Sequence, residues 1–204
     1  MSYPQARIRF TEEEYLRLER ESEEKYEYLD GEIYAMAGEQ QEHNEICVNL
    51  VAELRNQLKG LSCRTLSKDI KVRTGPEPIP GRSPQGFYSY PDVLIVCGER
   101  RFHDKHKDVL LNPQVIIEVL SKSTAEFDRG EKFKRYRQWL PSLTDYVLVA
   151  QDRPLIEHFR RQGADEWVLA TFEGLDARVP LASVECSLQL REVYDGLSFP
   201  PEPL

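Results

Sequence analysis

The chain reads as one α/β domain, of the α+β kind, in which a mixed β-sheet is flanked by helices. Three observations predict it. Two short runs, Asp92–Val96 and Val115–Leu120, are almost continuously apolar, as strands buried on both faces are. A long amphipathic segment at 42–59 and a second at 128–140 carry helical spacing, so helices interleave with the strands. The 204 residues, 40% of them hydrophobic, are enough for one core without help from disulfides.

The elements follow in order. Thr11-Glu-Glu-Glu14 is a capping box, opening a short helix whose apolar side is Tyr15 and Leu18. Tyr26–Leu29 and Glu32–Met36 flank Asp30-Gly31, the dipeptide of a tight hairpin. In the helix over 42–59, Cys47, Leu50, Val51, Leu54 and Leu58 share a face and Gly60 is the stop. Cys63–Leu66 and Ile70–Arg73 are short strands. Residues 74–91, with five prolines and three glycines, form a surface loop. The helix over 128–140 ends at Pro141, and strands follow at 145–150, 155–160 and 167–172.

Composition narrows the function. No apolar run approaches the ~20 residues of a membrane helix, and Met1–Arg7 lacks the apolar stretch of a secretory signal. The expected location is the cytoplasm. Cys47, Cys63, Cys97 and Cys186 form no C-x-x-C pair, so they are read as packing residues rather than a zinc site. The net charge is −8, unevenly spread: residues 11–32 hold ten acids against three bases, and residues 100–137 hold ten bases against six acids. A local basic region, not the total, would receive phosphate. Neither a glycine-rich phosphate loop nor a G-x-S-x-G elbow is present.

Two strand carboxylates stand out. Asp92 opens one apolar strand and Glu118 interrupts the other. A carboxylate in a buried strand is costly unless compensated, and a hard divalent cation compensates it directly. Held between two carboxylates, such a cation can polarise a phosphoryl oxygen and lower the pKa of a water. The plain structural alternative is that Asp92 caps a strand and Glu118 meets an arginine. Phosphoryl chemistry also needs a cation for the charge that builds on the phosphate. Position 120, two after Glu118, holds leucine. At ~100° per residue, Lys132 falls about 50° from the centre of the Phe133/Tyr136/Trp139/Leu140 face, and Lys134 about 150°. Lys132 is thus a rim residue that can reach the sheet or pair with Asp128; Lys122, in Ser121-Lys-Ser-Thr124, is the second candidate.

The segments Tyr26–Met36, His43-Asn44, Tyr90-Pro-Asp-Val93, Ile117–Ser121 and Asp128–Lys132 with Tyr136 resemble the Uma-type family of restriction endonucleases, within the PD-(D/E)XK nuclease superfamily. The resemblance covers roughly residues 10–195 of a single domain, 1–204. It implies a restriction-endonuclease-like core and Mg²⁺-dependent hydrolysis of nucleic acid, DNA first, with Mn²⁺ as a substitute ion. It makes Asp92 and Glu118 the metal carboxylates, places the cation on the following helix at Lys132, adds Glu27 as an outer metal acid, and departs at Lys122, where the family usually has proline. His43, near the start of the long helix, is a weaker candidate for phosphate or water contact.

His103 and His106, spaced i, i+3, sit in a charged loop and are not expected to bind metal; His158 is expected to pack or face solvent. Tyr88 and Tyr90 could stack on bases, with packing inside the loop the commoner outcome for such aromatics. Two other readings compete with the nuclease: a catalytically silent nucleic-acid-binding or regulatory module on the same fold, and a homodimer in contact through the proline loop.

Overall fold

The computed structural model describes residues 9–36, 38 and 40–199. In chain order they form α1 (Glu12–Glu21), β1 (Tyr26–Leu29), β2 (Glu32–Ala35), α2 (Gln41–Gln57), β3 (Cys63–Ser67), β4 (Lys71–Thr74), β5 (Phe87–Ser89), β6 (Val93–Cys97), β7 (Val109–Leu110), β8 (Val115–Leu120), α3 (Ala125–Phe127), a π turn (Asp128–Lys132), α4 (Phe133–Trp139), β9 (Asp145–Ala150), β10 (Leu155–Arg161), β11 (Trp167–Glu173), β12 (Arg178–Leu181), a 3₁₀ turn (Ala182–Val184), β13 (Cys186–Gln189) and α5 (Leu190–Val193).

The central sheet runs β11-β10-β9-β8-β6-β3 and is mixed: β8 pairs parallel with β9 and antiparallel with β6. A parallel neighbour requires a crossover, and α3, the π turn and α4 supply it. One face of this sheet meets Ile46, Leu50 and Leu54 of α2, together with Val179, Leu188 and Leu190 from the β12–β13 hairpin and α5. The other face meets Phe133 and Tyr136 of α4 and Val72, Phe87 and Leu110 of a second sheet. Strand alternation sorts the residues: Val93, Ile95, Val115, Ile117 and Val119 face α2, while Leu94, Val96, Ile116 and Leu120 face α4.

The second sheet, β2-β1-β5-β4-β7, was not expected from the sequence. Its middle strand, β5, lies inside the proline-rich stretch read as a loop. Three residues, Phe87-Tyr-Ser89, are too short for a periodic signal, yet all are buried. The β1–β2 hairpin turns at Asp30 and Gly31, both at positive φ, as the sequence predicts. Arg135 of α4 clamps that turn through two bonds to Asp30, 2.6 and 3.1 Å.

Helix α1 has the capping box, with Glu14 N–H donating to Thr11 Oγ1 at 3.2 Å. Its inward face differs from expectation: Leu16 is buried and Leu18 is exposed. Glu12, Tyr15, Leu16 and Glu19 follow an i, i+3, i+4, i+7 pattern, so two acids of the acidic run turn inward. Each finds a cation on β4: Arg73 Nε lies 2.7 Å from Glu12 Oε2, and Lys71 Nζ lies 2.6 Å from Glu19 Oε2. Tyr88 donates to Glu12 and Tyr90 to Glu19. Both tyrosines are buried, the packing outcome rather than a base-stacking surface.

The cysteines also differ from the packing role assigned to all four. Cys63 and Cys97 stand opposite each other in the β3–β6 register and are joined by a disulfide; Cys47 and Cys186 are free and buried. His158, expected to pack or face solvent, is buried with its Nε2 2.7 Å from Asp145 Oδ1.

Asp145 yields a pH test. Burial alone would raise its carboxyl, but bonds from His158, Ser183 and Thr144 outweigh that and hold it below the ordinary value. A depressed folded pKa stabilises above the unfolded value of ~3.9 and is lost as pH falls through the folded one. Urea midpoints of the wild type and Asp145→Asn should differ most at neutral pH and converge as pH drops below about 4; a constant gap would refute this.

Candidate active site

Glu118 lies on β8, and Asp92 immediately precedes its antiparallel neighbour β6. Their register pairs Val93 with Ile117 and Leu94 with Ile116. Continued by one residue, it sets Asp92 beside Glu118 at the end of β6; Glu118 faces α4, while Asp92 meets His43 of α2. Asp92 is 7% exposed and Glu118 3%. Both line a cavity of about 720 Å³ whose wall also includes Glu27, His43, Ser121, Lys122, Asp128 and Lys132.

Every site residue named from the sequence therefore reaches one cavity, with different contacts. Lys132 Nζ lies 3.0 Å from Glu118 Oε1 and 3.2 Å from Asp128 Oδ1. It is not on the rim: the side chain is buried. It is the last residue of a π turn, Asp128–Lys132, that leads into α4. Such single π turns recur at functional sites. Tyr146 fastens this one, its hydroxyl donating to Asp128 O at 2.9 Å. Lys122, by contrast, is exposed at the cavity mouth.

Glu27 is half-buried and accepts from Tyr90 N–H at 3.2 Å. His43 is buried with Nε2 3.0 Å from Asp92 Oδ1, and Asp92 Oδ2 accepts from Val119 N–H at 2.7 Å. Tyr136, buried on α4, donates to Glu118 Oε1 at 3.2 Å and shares a bond with Ser89 Oγ at 2.7 Å.

Two neighbours of Asp92 were not singled out as site residues. Lys68 Nζ lies 3.8 Å from Asp92 Oδ1, and the Cys47 thiol, one turn along α2 from His43, is directed at the same carboxylate. Cys47 was legible only as a core position of α2. Nothing in the sequence marked Lys68, which sits in a turn. His103 and His106 line a separate, wider groove between α1 and the proline loop, which contains none of these site residues.

The electrostatics are uneven. Burial would raise the Asp92 carboxyl, but His43, Val119 N–H and the Lys132 charge hold it below the ordinary value. Glu118 goes the other way: burial, reinforced by Asp128 and Asp92, lifts it well above, against the pull of Lys132. Burial would lower Lys132, yet Glu118, Glu27 and Asp128 keep it charged. The cavity lining holds more carboxylates than ammonium groups. Four acids, Glu27, Asp92, Glu118 and Asp128, share it with one buried ammonium. Such an oxygen-rich surplus fits a hard divalent cation. A softer set overlaps it, since donor atoms of His43, Cys47 and Asp92 lie within 4.8 Å of one another.

The mixed sheet, its crossover helix and the strand-borne carboxylates define a restriction-endonuclease-like α/β protein. The chain belongs to the Uma2 family, described as "Putative restriction endonuclease", whose model matches residues 12–191. An uncharacterised Synechocystis protein, slr1290, is 34% identical over 187 residues, covering 92% of each chain. A second, sll1609, is 32% identical over 169 residues, 83% of this chain and 90% of that one. The crystal structure of a "putative nuclease belonging to DUF820" from Anabaena variabilis superposes with a TM-score of 0.70 at 19% identity, over 91% of this chain and 97% of that one. At that identity the likeness concerns the fold.

The buried pair makes a stability prediction. Lys132→Met strands Glu118 and Asp128 without their cation and should cost about 3–5 kcal/mol in urea unfolding. Adding Glu118→Gln should recover part of the loss, because Asp128 is then the one carboxylate left opposite the missing amine. Additive losses in the double variant would show that the two groups do not interact.

Proposed function

We propose that the protein is a divalent-metal-dependent nuclease, with Mg²⁺ as its ion, that hydrolyses phosphodiester bonds in DNA. The observation that carries the reading is the convergence of Asp92, Glu118 and Lys132 in one buried cavity that has a surplus of negative charge.

Asp92 and Glu118 would hold the ion, with Glu27 as an outer acid. When bound, the ion polarises a phosphoryl oxygen and lowers the pKa of a water. The chain's own groups do the rest. Lys132 carries the charge that offsets the negative charge growing on the phosphate, and its burial strengthens that effect over what it would be in water. Its partners Glu118 and Asp128 fix the amine, so little reorganisation is needed when substrate arrives. His43 and Val119 N–H orient Asp92, and Tyr136 orients Glu118. The burial of Lys132 beside Glu118 favours it over Lys122 as the assisting cation.

At the mouth, Lys122 with Ser121, Ser123 and Thr124 offers an ammonium and three hydroxyls to a phosphate backbone. Tyr34, 48% exposed on the β2 side of the same cavity, replaces the buried Tyr88 and Tyr90 as the aromatic able to stack on a base. Since the whole chain is acidic, substrate attraction is local and salt-sensitive.

One observation favours the non-catalytic alternative: both carboxylates already have donors within the protein. Calorimetry with Mn²⁺ separates the two, because a silent module shows no heat that depends on Asp92 and Glu118. In the catalytic test, protein with Mg²⁺ or Mn²⁺ should nick supercoiled plasmid. Asp92→Ala and Glu118→Ala should each lower the rate by about 10²-fold or more, and Lys122→Ala by much less than Lys132→Ala. Nicking that survives both carboxylate variants would sink the assignment.

A further inference from the structure

We propose that His43, Cys47 and Asp92 form a second cation site, for a borderline-soft divalent ion of the zinc type, which shares Asp92 with the carboxylate pair. Position comes first. His43 and Cys47 are four residues apart on α2, so both project from one helix face. That face abuts the start of β6, where Asp92 sits. All three residues are buried.

Spacing comes next. Zinc bonds of ~2.0–2.3 Å in a tetrahedral arrangement separate neighbouring ligand atoms by roughly 3.3–3.7 Å. His43 Nε2 and Asp92 Oδ1 are 3.0 Å apart, and all three donors lie within 4.8 Å of one another. The ion would replace the His43–Asp92 and Cys47–Asp92 contacts, with shifts of about an ångström or less. His43 and Asp92 line the cavity while Cys47 lies behind them, so a fourth position faces the cavity and is open to water or a substrate oxygen.

Donor chemistry separates this site from its neighbour. A thiolate, an imidazole and one carboxylate select zinc-like ions, whereas the Asp92–Glu118 oxygens select magnesium-like ones. Cys47 binds as thiolate, so one proton leaves to solvent for each ion bound. Asp92 serves both sets, and a soft ion here excludes a hard ion from the carboxylate pair. That last consequence rests on the nuclease reading; the binding itself does not.

Cobalt reports thiolate coordination directly. Chelator-treated, full-length protein titrated with Co²⁺ should develop visible d–d bands and a near-ultraviolet thiolate-to-cobalt band, saturating at one equivalent. One equivalent of Zn²⁺ should abolish both, and about a hundredfold excess of Mg²⁺ should not. Cys47→Ser should remove the near-ultraviolet band, and Cys186→Ser should leave it. His43→Gln should keep it while weakening binding at least tenfold, which guards against a Cys47 variant that fails to fold. Glu118→Gln should retain the cobalt spectrum while abolishing DNA hydrolysis, so failure of one proposal is distinguishable from failure of the other. A missing near-ultraviolet band, one that depends on Cys186, or displacement by Mg²⁺ would overturn the site.

Discussion

The structure turns on the ion pair between Lys132 and Glu118. A carboxylate at the centre of a six-stranded sheet, 3% exposed, is tolerable only with a cation brought to it. The cation comes from the crossover segment that makes β8 and β9 parallel, so topology and electrostatics are met by one piece of chain. A π turn, Asp128–Lys132, leads into α4, where Phe133 and Tyr136 pack on the sheet while the Lys132 amine meets Glu118.

The same principle, a buried acid answered by a cation from another element, organises the second sheet. Glu12 with Arg73 and Glu19 with Lys71 fasten α1 to β4, and Asp30 with Arg135 fastens the β1–β2 turn to α4. Buried pairs of this kind add little net stability but penalise misdocking heavily, because one unpaired charge is costly. Acids of the early chain are thus partly matched by cations inside the protein, and the net charge of −8 understates how much charge is committed there.

Much of this was legible beforehand, for identifiable reasons. β6 and β8 announce themselves because central strands are apolar on both faces, and each carboxylate is conspicuous against that background. α2 and the hairpin turn follow from periodicity and from Asp30-Gly31. What escaped notice depended on neighbours distant in sequence. β5 and β7 are too short to show a period; the inward acids of α1 break the rule that charge faces water; Cys63 and Cys97 are 34 positions apart and become partners only through strand register. Lys68 reaches Asp92 from a turn and has no local pattern. Lys132 was read as a rim residue whose amine can reach the sheet or pair with Asp128; it does both, but its side chain is buried.

The crossover has a kinetic corollary. Glu118 and Lys132 are 14 positions apart, whereas His43 and Asp92 are 49 apart. Closing the longer loop costs about 1 kcal/mol more in chain entropy. The β8–α4–β9 unit can therefore nucleate with its ammonium–carboxylate contact made early, while the α2 side of the pocket assembles on a surface already built. For the complete chain on refolding, loop entropy thus favours the charge-neutralising half of the centre over the half that carries its imidazole.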